Sequence, residues 1–241
     1  LEVSEIKKVP LLFFMLIGVI GILYSSISIY ETINQYQVSA HKYQEIEQIY
    51  YEYGEGRGGY QELLSINPDF IGWLEINNTR VSYPVVKTQD NDFYLSHNFY
   101  NEVDPAGAIF IDYRNNLNEL DKNIILYGHN MKDGSMFGLL KEYLDQDFLA
   151  EYNVITFDSL DTTYIWEVFS VYETEEVAWM ETTFTDLREY EIFLDKIINR
   201  SIVNREITVD SEDNILTLAT CTVSDEKRFV IHAKLIKKET L

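Results

Sequence analysis

The chain has 241 residues, 46% hydrophobic and 24% charged, which suits one folded core with an appendage and excludes a largely disordered chain or a multi-span membrane protein. Nineteen Lys and Arg stand against 40 Asp and Glu, a formal net charge of -21, so the surface repels polyphosphate and no nucleic-acid partner is expected. The single cysteine, Cys221, excludes an intramolecular disulfide.

In chain order, the first element is Val9 to Tyr30, 22 residues without a charge, where about 20 apolar residues suffice to span a bilayer. Lys7 and Lys8 precede it, so the positive-inside rule predicts a cytoplasmic segment 1–8, an anchor 9–30 and everything later on the extracellular face of a single-pass membrane protein. The run is too long for a signal-peptide core, and its SSISIY end is a poor cleavage site, which favours an uncleaved anchor. A buried core helix would instead need apolar partners on all sides.

Residues 31–53 lack Pro and Gly and repeat Ile33, Tyr36, Tyr43, Ile46, Ile49, Tyr50 and Tyr53 at near-helical spacing, which predicts an amphipathic helix. Gly54 to Gly59, with four glycines in six positions, predicts a flexible joint. A short helix, Tyr60 to Ile66, follows and ends at Asn67 and Pro68, closing a helical segment 31–66 ahead of a catalytic domain 67–241.

Beyond Ile71 the pattern changes to short β-type runs between turn residues. Eight strands are predicted: Gly72 to Ile76, Val81 to Lys87, Ala108 to Tyr113, Asn123 to Tyr127, Val154 to Asp158, Tyr164 to Tyr172, Ile215 to Thr220 and Arg228 to Ile236. Helices are expected at Ser135 to Asp147 and at Thr185 to Ile198. In the second, Thr185 is the expected N-cap and Leu187, Tyr190, Phe193, Leu194 and Ile197 the apolar stripe.

Cys221 ends the apolar run NILTLATC, a position that suits an inert core thiol as well as a nucleophile. Arg228 opens the next strand, and antiparallel pairing across the short TVSDEK connection would return its guanidinium to Cys221; that connection is too short for a large mobile lid. A cysteine nucleophile needs a proton acceptor and donor, and the chain has four histidines. His41 lies on the helix after the anchor, His97 in a polar, exposed segment, and His232 inside the last strand, where alternation decides between core and surface. His129 differs, because it follows the apolar run IILYG at a strand end, fixed by a sheet yet reachable.

The segments NIILYGHNMKDGSMFGLL and ILTLATCTVSDEKRFVIHAKLI together resemble the two active-site signatures of the sortases: a His after the fourth strand, a TLxTC sequence ending the seventh and an Arg in the eighth. The N-terminal helices, the helix predicted between the sixth and seventh strands, and the stretches VVKTQDNDFYL and AGAIFIDYRN resemble class B. This resemblance implies a mainly β fold, an eight-stranded barrel with N-terminal helices and that inserted helix. It also implies a cysteine transpeptidase in which Cys221 attacks the Thr carbonyl of an NPxTG-like sorting signal near the C-terminus of a secreted protein. His129 would protonate the leaving amine and deprotonate the incoming one, and Arg228 would hold the oxyanion or the substrate backbone.

By the same resemblance Asn91 and Leu95 would line the signal-binding groove, and Thr220 precedes the nucleophile; Ala219 stands where many relatives carry Ser. No cofactor is expected, and the scattered acidic residues suggest no metal. The acceptor amine would come from a peptidoglycan precursor, for cell-wall anchoring, or from a pilin lysine, for pilus assembly. The competing expectation is a non-enzymatic, membrane-tethered binding domain with Cys221 buried and unreactive.

Overall fold

A computed structural model describes residues 8–52, 57–203, 205–221 and 227–240, with the backbone alone for residues 8–12 and Cys221. The chain divides after His41 into two units. Helix α1, Lys8–Glu52, takes in both the apolar run and the predicted amphipathic segment, so these are one element and not two. Among the described residues it is the one helix long and apolar enough to cross a membrane, and side chains such as Phe14, Ile22 and Tyr30 are exposed along it.

The second unit begins with the last turns of α1. There Tyr43, Ile46 and Tyr50, spaced three and four apart, are buried, and Tyr50 stacks on Trp73 at 4.1 Å between ring centres. Ile33 of the predicted stripe is exposed, and Tyr53 lies outside the described residues. The expected joint is described from Arg57 onward as a 3-10 turn, Arg57–Gly59, held by Arg57 Nε donating to the Ser159 carbonyl at 2.7 Å. Helix α2, Tyr60–Ile66, then ends where Asn67 N–H closes back on Leu63 O.

The strands are β1 Phe70–Glu75, β2 Ser82–Val86, β3 Ile109–Ile111, β4 Asn123–His129, β5 Val154–Ser159, β6 Thr162–Thr174, β7 Ile215–Cys221 and β8 Arg228–Thr240. They close a barrel in the order β1-β2-β3-β4-β7-β8-β6-β5, parallel at β2/β3 and β4/β7. Closure removes free edges, and alternation splits each strand into an inner apolar row, such as Ile124, Leu126, Leu216, Leu218 and Ile231, and an outer row.

Two helical expectations need correction. Ser135 to Asp147 is not one α-helix: a 3-10 helix, Gly138–Leu144, is followed by α3, Gln146–Glu151. Asp145 causes the break, since its extended backbone stops the first turn while its carboxylate caps the second, accepting from Asp147 and Phe148 N–H. Helix α4, Leu187–Asn199, is capped by Asp186 and not Thr185. Asp186 accepts from Glu189 N–H, and Glu189 reaches back past the cap to accept from the Thr185 N–H at 2.6 Å. Its predicted stripe is buried at Tyr190, Phe193, Leu194 and Ile197, whereas Leu187 is exposed.

Candidate active site

The parallel ladder of β4 and β7 runs in register from Asn123↔Ile215 to His129↔Cys221, so the last residues of the two strands are partners. Neighbouring strands lie about 4.8 Å apart and register partners share a face, which puts positions 129 and 221 side by side. The antiparallel β7/β8 ladder pairs Ala219 with Val230, and the same register continued by two residues sets position 228 opposite 221. Arg228 is in turn the partner of Thr174 on β6. Three strand ends therefore bring a histidine, a cysteine and a half-buried arginine to one end of one barrel face.

The His129 ring is fixed from behind. It is 8% exposed, and its Nε2–H donates to the Leu95 carbonyl at 2.6 Å, which fixes the orientation of the ring. Gly107 closes against the ring with a φ of +59, and a Cβ there would stand 2.5 Å from Tyr94 O and 3.0 Å from His129 Cδ2. Only glycine combines that backbone angle with so close an approach.

The far end of the same outer face is covered. Asn123, Thr217 and His232, all fully buried, form a hydrogen-bonded row across β4, β7 and β8. Thr217 Oγ1 donates to Asn123 Oδ1 at 2.6 Å and accepts from His232 Nδ1 at 2.8 Å, and Tyr172 OH donates to His232 Nε2 at 2.8 Å. Burial pushes the His232 pKa down to about 3, so it is a neutral structural group. Phe193 of α4 meets its ring edge-on, and Asn123 Nδ2 holds the carbonyls of Trp179 and Glu181, so the β6–β7 excursion is tied onto this end. Tyr127, between the row and His129, donates to Asp112. Burial raises the Asp112 carboxyl, but bonds from Arg114 and Tyr127 outweigh it and hold it below the usual carboxylate range.

The remaining candidates fall around this centre. Thr220 is buried, and its hydroxyl accepts from Phe229 N–H at 3.0 Å, stitching β7 to β8. Leu95 contributes the carbonyl behind His129. Asn91 spends its amide internally, donating to Asp112 and accepting from Tyr113 N–H. His97 stacks on Phe93 at 4.1 Å and is half-buried, not exposed as expected, and His41 is exposed on α1. The connection 222–226, expected to be too short for a lid, lies outside the described residues.

The family model described as "Sortase domain" matches residues 74–236, a span that holds His129, Cys221 and Arg228. The chain is 43% identical over 189 residues to sortase B of Listeria monocytogenes, covering 77% of each chain. It superposes with a TM-score of 0.79 and 40% identity on a crystal structure of sortase B from B. anthracis in complex with AAEK1, covering 85% of this chain and 99% of that one. A Staphylococcus aureus sortase B–substrate complex matches at a TM-score of 0.78 and 34% identity, over 83% and 97% of the two chains. The chain belongs to the class B sortases. Sortases are cysteine transpeptidases, and this one carries a single cysteine, at a strand end beside a histidine.

Sequence reasoning missed two supports of this sortase's site, Gly107 and Asp112, and left a third, His232, open between core and surface. Gly107 gives only the weak signal of a glycine before a strand, Asp112 that of a carboxylate after one, and His232 that of alternation, which places it on the face of Thr217.

Proposed function

We propose that this sortase cleaves an NPxTG-like C-terminal sorting signal after its Thr and transfers the secreted protein to the amine of a peptidoglycan precursor. One observation carries the catalytic assignment: His129 and Cys221 are register partners at the ends of parallel β4 and β7. The Cys221 sulfur attacks the Thr carbonyl, and as the Thr–Gly bond breaks, His129 gives its proton to the departing amine, leaving a thioester. The acceptor amine then attacks, losing a proton to His129 and expelling the thiolate. Arg228, permanently charged and forked, faces the oxyanion or the substrate backbone. Asn91, Leu95 and Thr220 are assigned to the signal-binding groove. Given the internal bonds of the Asn91 amide and the Thr220 hydroxyl, their part is to shape its wall. A substrate complex of the S. aureus relative supports a peptide groove on this fold.

Residues 9–30 of α1 serve as the anchor, with residues 1–8 in the cytoplasm, the helical segment 31–66 beyond the membrane and the catalytic domain 67–241 on the extracellular face, in keeping with Lys7 and Lys8 before the apolar run. The enzyme is incubated with a sorting-signal peptide and, separately, a peptidoglycan-precursor amine or a pilin lysine, with the products read by mass spectrometry. Cys221→Ala, a small thiol-to-methyl change, is expected to keep the fold and abolish both thioester and product. Turnover near wild type in that variant removes Cys221 from the mechanism, and product formed with the pilin alone replaces wall anchoring by pilus assembly.

A further inference from the structure

We propose that Tyr43, on the last turns of α1, is a positioning residue for His129. The inference rests on the assignment of His129 as the acid and base of turnover. Tyr43 is 7% exposed, and its hydroxyl donates to the Gly107 carbonyl at 2.6 Å. Gly107 is the residue pressed against the imidazole, and the loop it belongs to also presents the Leu95 carbonyl that accepts from His129 Nε2. Ala108 N–H to Tyr94 O at 3.0 Å ties the two sides of that loop together. The hydroxyl of Tyr43 thus holds the backbone that shapes the pocket behind the ring.

A second path runs from the same side chain. The Tyr43 ring meets Tyr83 edge-on at 5.5 Å, and Tyr83 OH accepts from Met136 N–H at 3.0 Å. The next residue, Phe137, donates its N–H to the His129 carbonyl at 2.9 Å. Ring and main chain of His129 are therefore both braced through one tyrosine. Burial first, then the charge of Asp104, pushes the Tyr43 hydroxyl well above its ordinary pKa, so it remains a donor throughout the working range. Ile46, fully buried one turn later, fixes the helix that carries it.

The test uses the full chain in detergent micelles. Tyr43→Phe keeps the ring contact with Tyr83 and removes the hydroxyl with its bonds to Gly107 and to the Phe99 backbone. Its kcat for sorting-peptide cleavage is expected to fall roughly five- to tenfold with KM within about twofold, the signature of a misplaced proton donor. With 15N-histidine labelling, the His129 Nε2–H proton, sheltered by the Leu95 carbonyl in the wild type, is expected to exchange faster and move upfield. Tyr50→Phe is the control, since it removes a hydroxyl that donates to Asp158 from the same helix at 3.3 Å. It should leave both kcat and the imidazole resonance at wild-type values.

Wild-type kcat and an unmoved resonance in Tyr43→Phe overturn the proposal. So does an equal loss in both variants, which marks helix docking in general. His129→Ala separates the two levels of the argument. An inactive His129→Ala beside a normal Tyr43→Phe sinks the positioning role alone, whereas turnover by His129→Ala sinks the catalytic assignment and the positioning role with it.

Discussion

Replacing His232 by Gln tests whether a buried neutral histidine pins the sheet beneath the site. The imidazole is fully buried, bonded to Thr217 and Tyr172, and its pKa is pushed down to about 3 by burial. In the unfolded chain it titrates near 6.5. Between those values the unfolded state holds the extra proton, so stability rises with pH there: the contribution is complete above about 6.5 and drains away as pH falls toward 3. From pH 7 to pH 5 the linkage amounts to about 2 kcal/mol. Gln cannot titrate and reproduces the two hydrogen bonds imperfectly, at a cost of about 1–3 kcal/mol at pH 7. The stability gap between wild type and variant is therefore expected to narrow by about 2 kcal/mol at pH 5. Trp73, Trp166 and Trp179 are all buried in the second unit, so urea unfolding of the full chain in micelles, followed by tryptophan fluorescence, reports on the barrel. All other titrating groups are common to both chains and cancel in the difference. An identical gap at the two pH values would falsify the neutral, buried state of His232.

Arg228→Lys keeps the charge and loses the fork; kcat/KM is expected to fall by roughly 10²-fold, and near-normal cleavage of the sorting peptide would reduce Arg228 to a structural role. Asn123→Ala takes the partner from the Trp179 and Glu181 carbonyls and from Thr217, a loss of about 2–4 kcal/mol or roughly 5–15 °C in Tm. A fall of less than about 2 °C in a calorimetric scan would show that the β6–β7 excursion is held by other means.

The strands were legible because apolar runs such as Asn123 to Tyr127 and Ile215 to Thr220 stop abruptly at polar or glycine-bearing segments, and the structure extends these two by two and one residues. Their adjacency was not legible. β4 and β7 are separated by 85 residues from His129 to Ile215, and no local pattern says that they pair, so bringing His129 to Cys221 needed either the coordinates or the family signature. The helical misreadings are of another kind. Asp145 and Asp186 each act as caps inside the segments expected to be helical, so the helical residues were recognised and the punctuation was missed. Asn91 shows the limit of matching positions: the residue sits near the site, but its amide bonds to Asp112 and Tyr113, which only three-dimensional placement reveals.

The buried polar row also explains how a barrel wall can hold a reactive site to a fixed register. On the inner face Ile124, Leu126, Leu216 and Leu218 are nearly interchangeable, so a slip of β7 against β4 by one residue is forbidden by alternation, whereas a slip by two would leave the apolar pattern intact. What forbids the two-residue slip is the outer row. Moving β7 by two residues would strip Thr217 from His232, its register partner on β8, and leave a fully buried hydroxyl and imidazole short of partners. The same slip would carry Cys221 away from His129 by about 6.6 Å along the strand. Apolar alternation thus chooses the face and the Asn123–Thr217–His232 bonds choose the step, so the residues that hold position 221 in register with His129 lie at the opposite end of the strands from that pair.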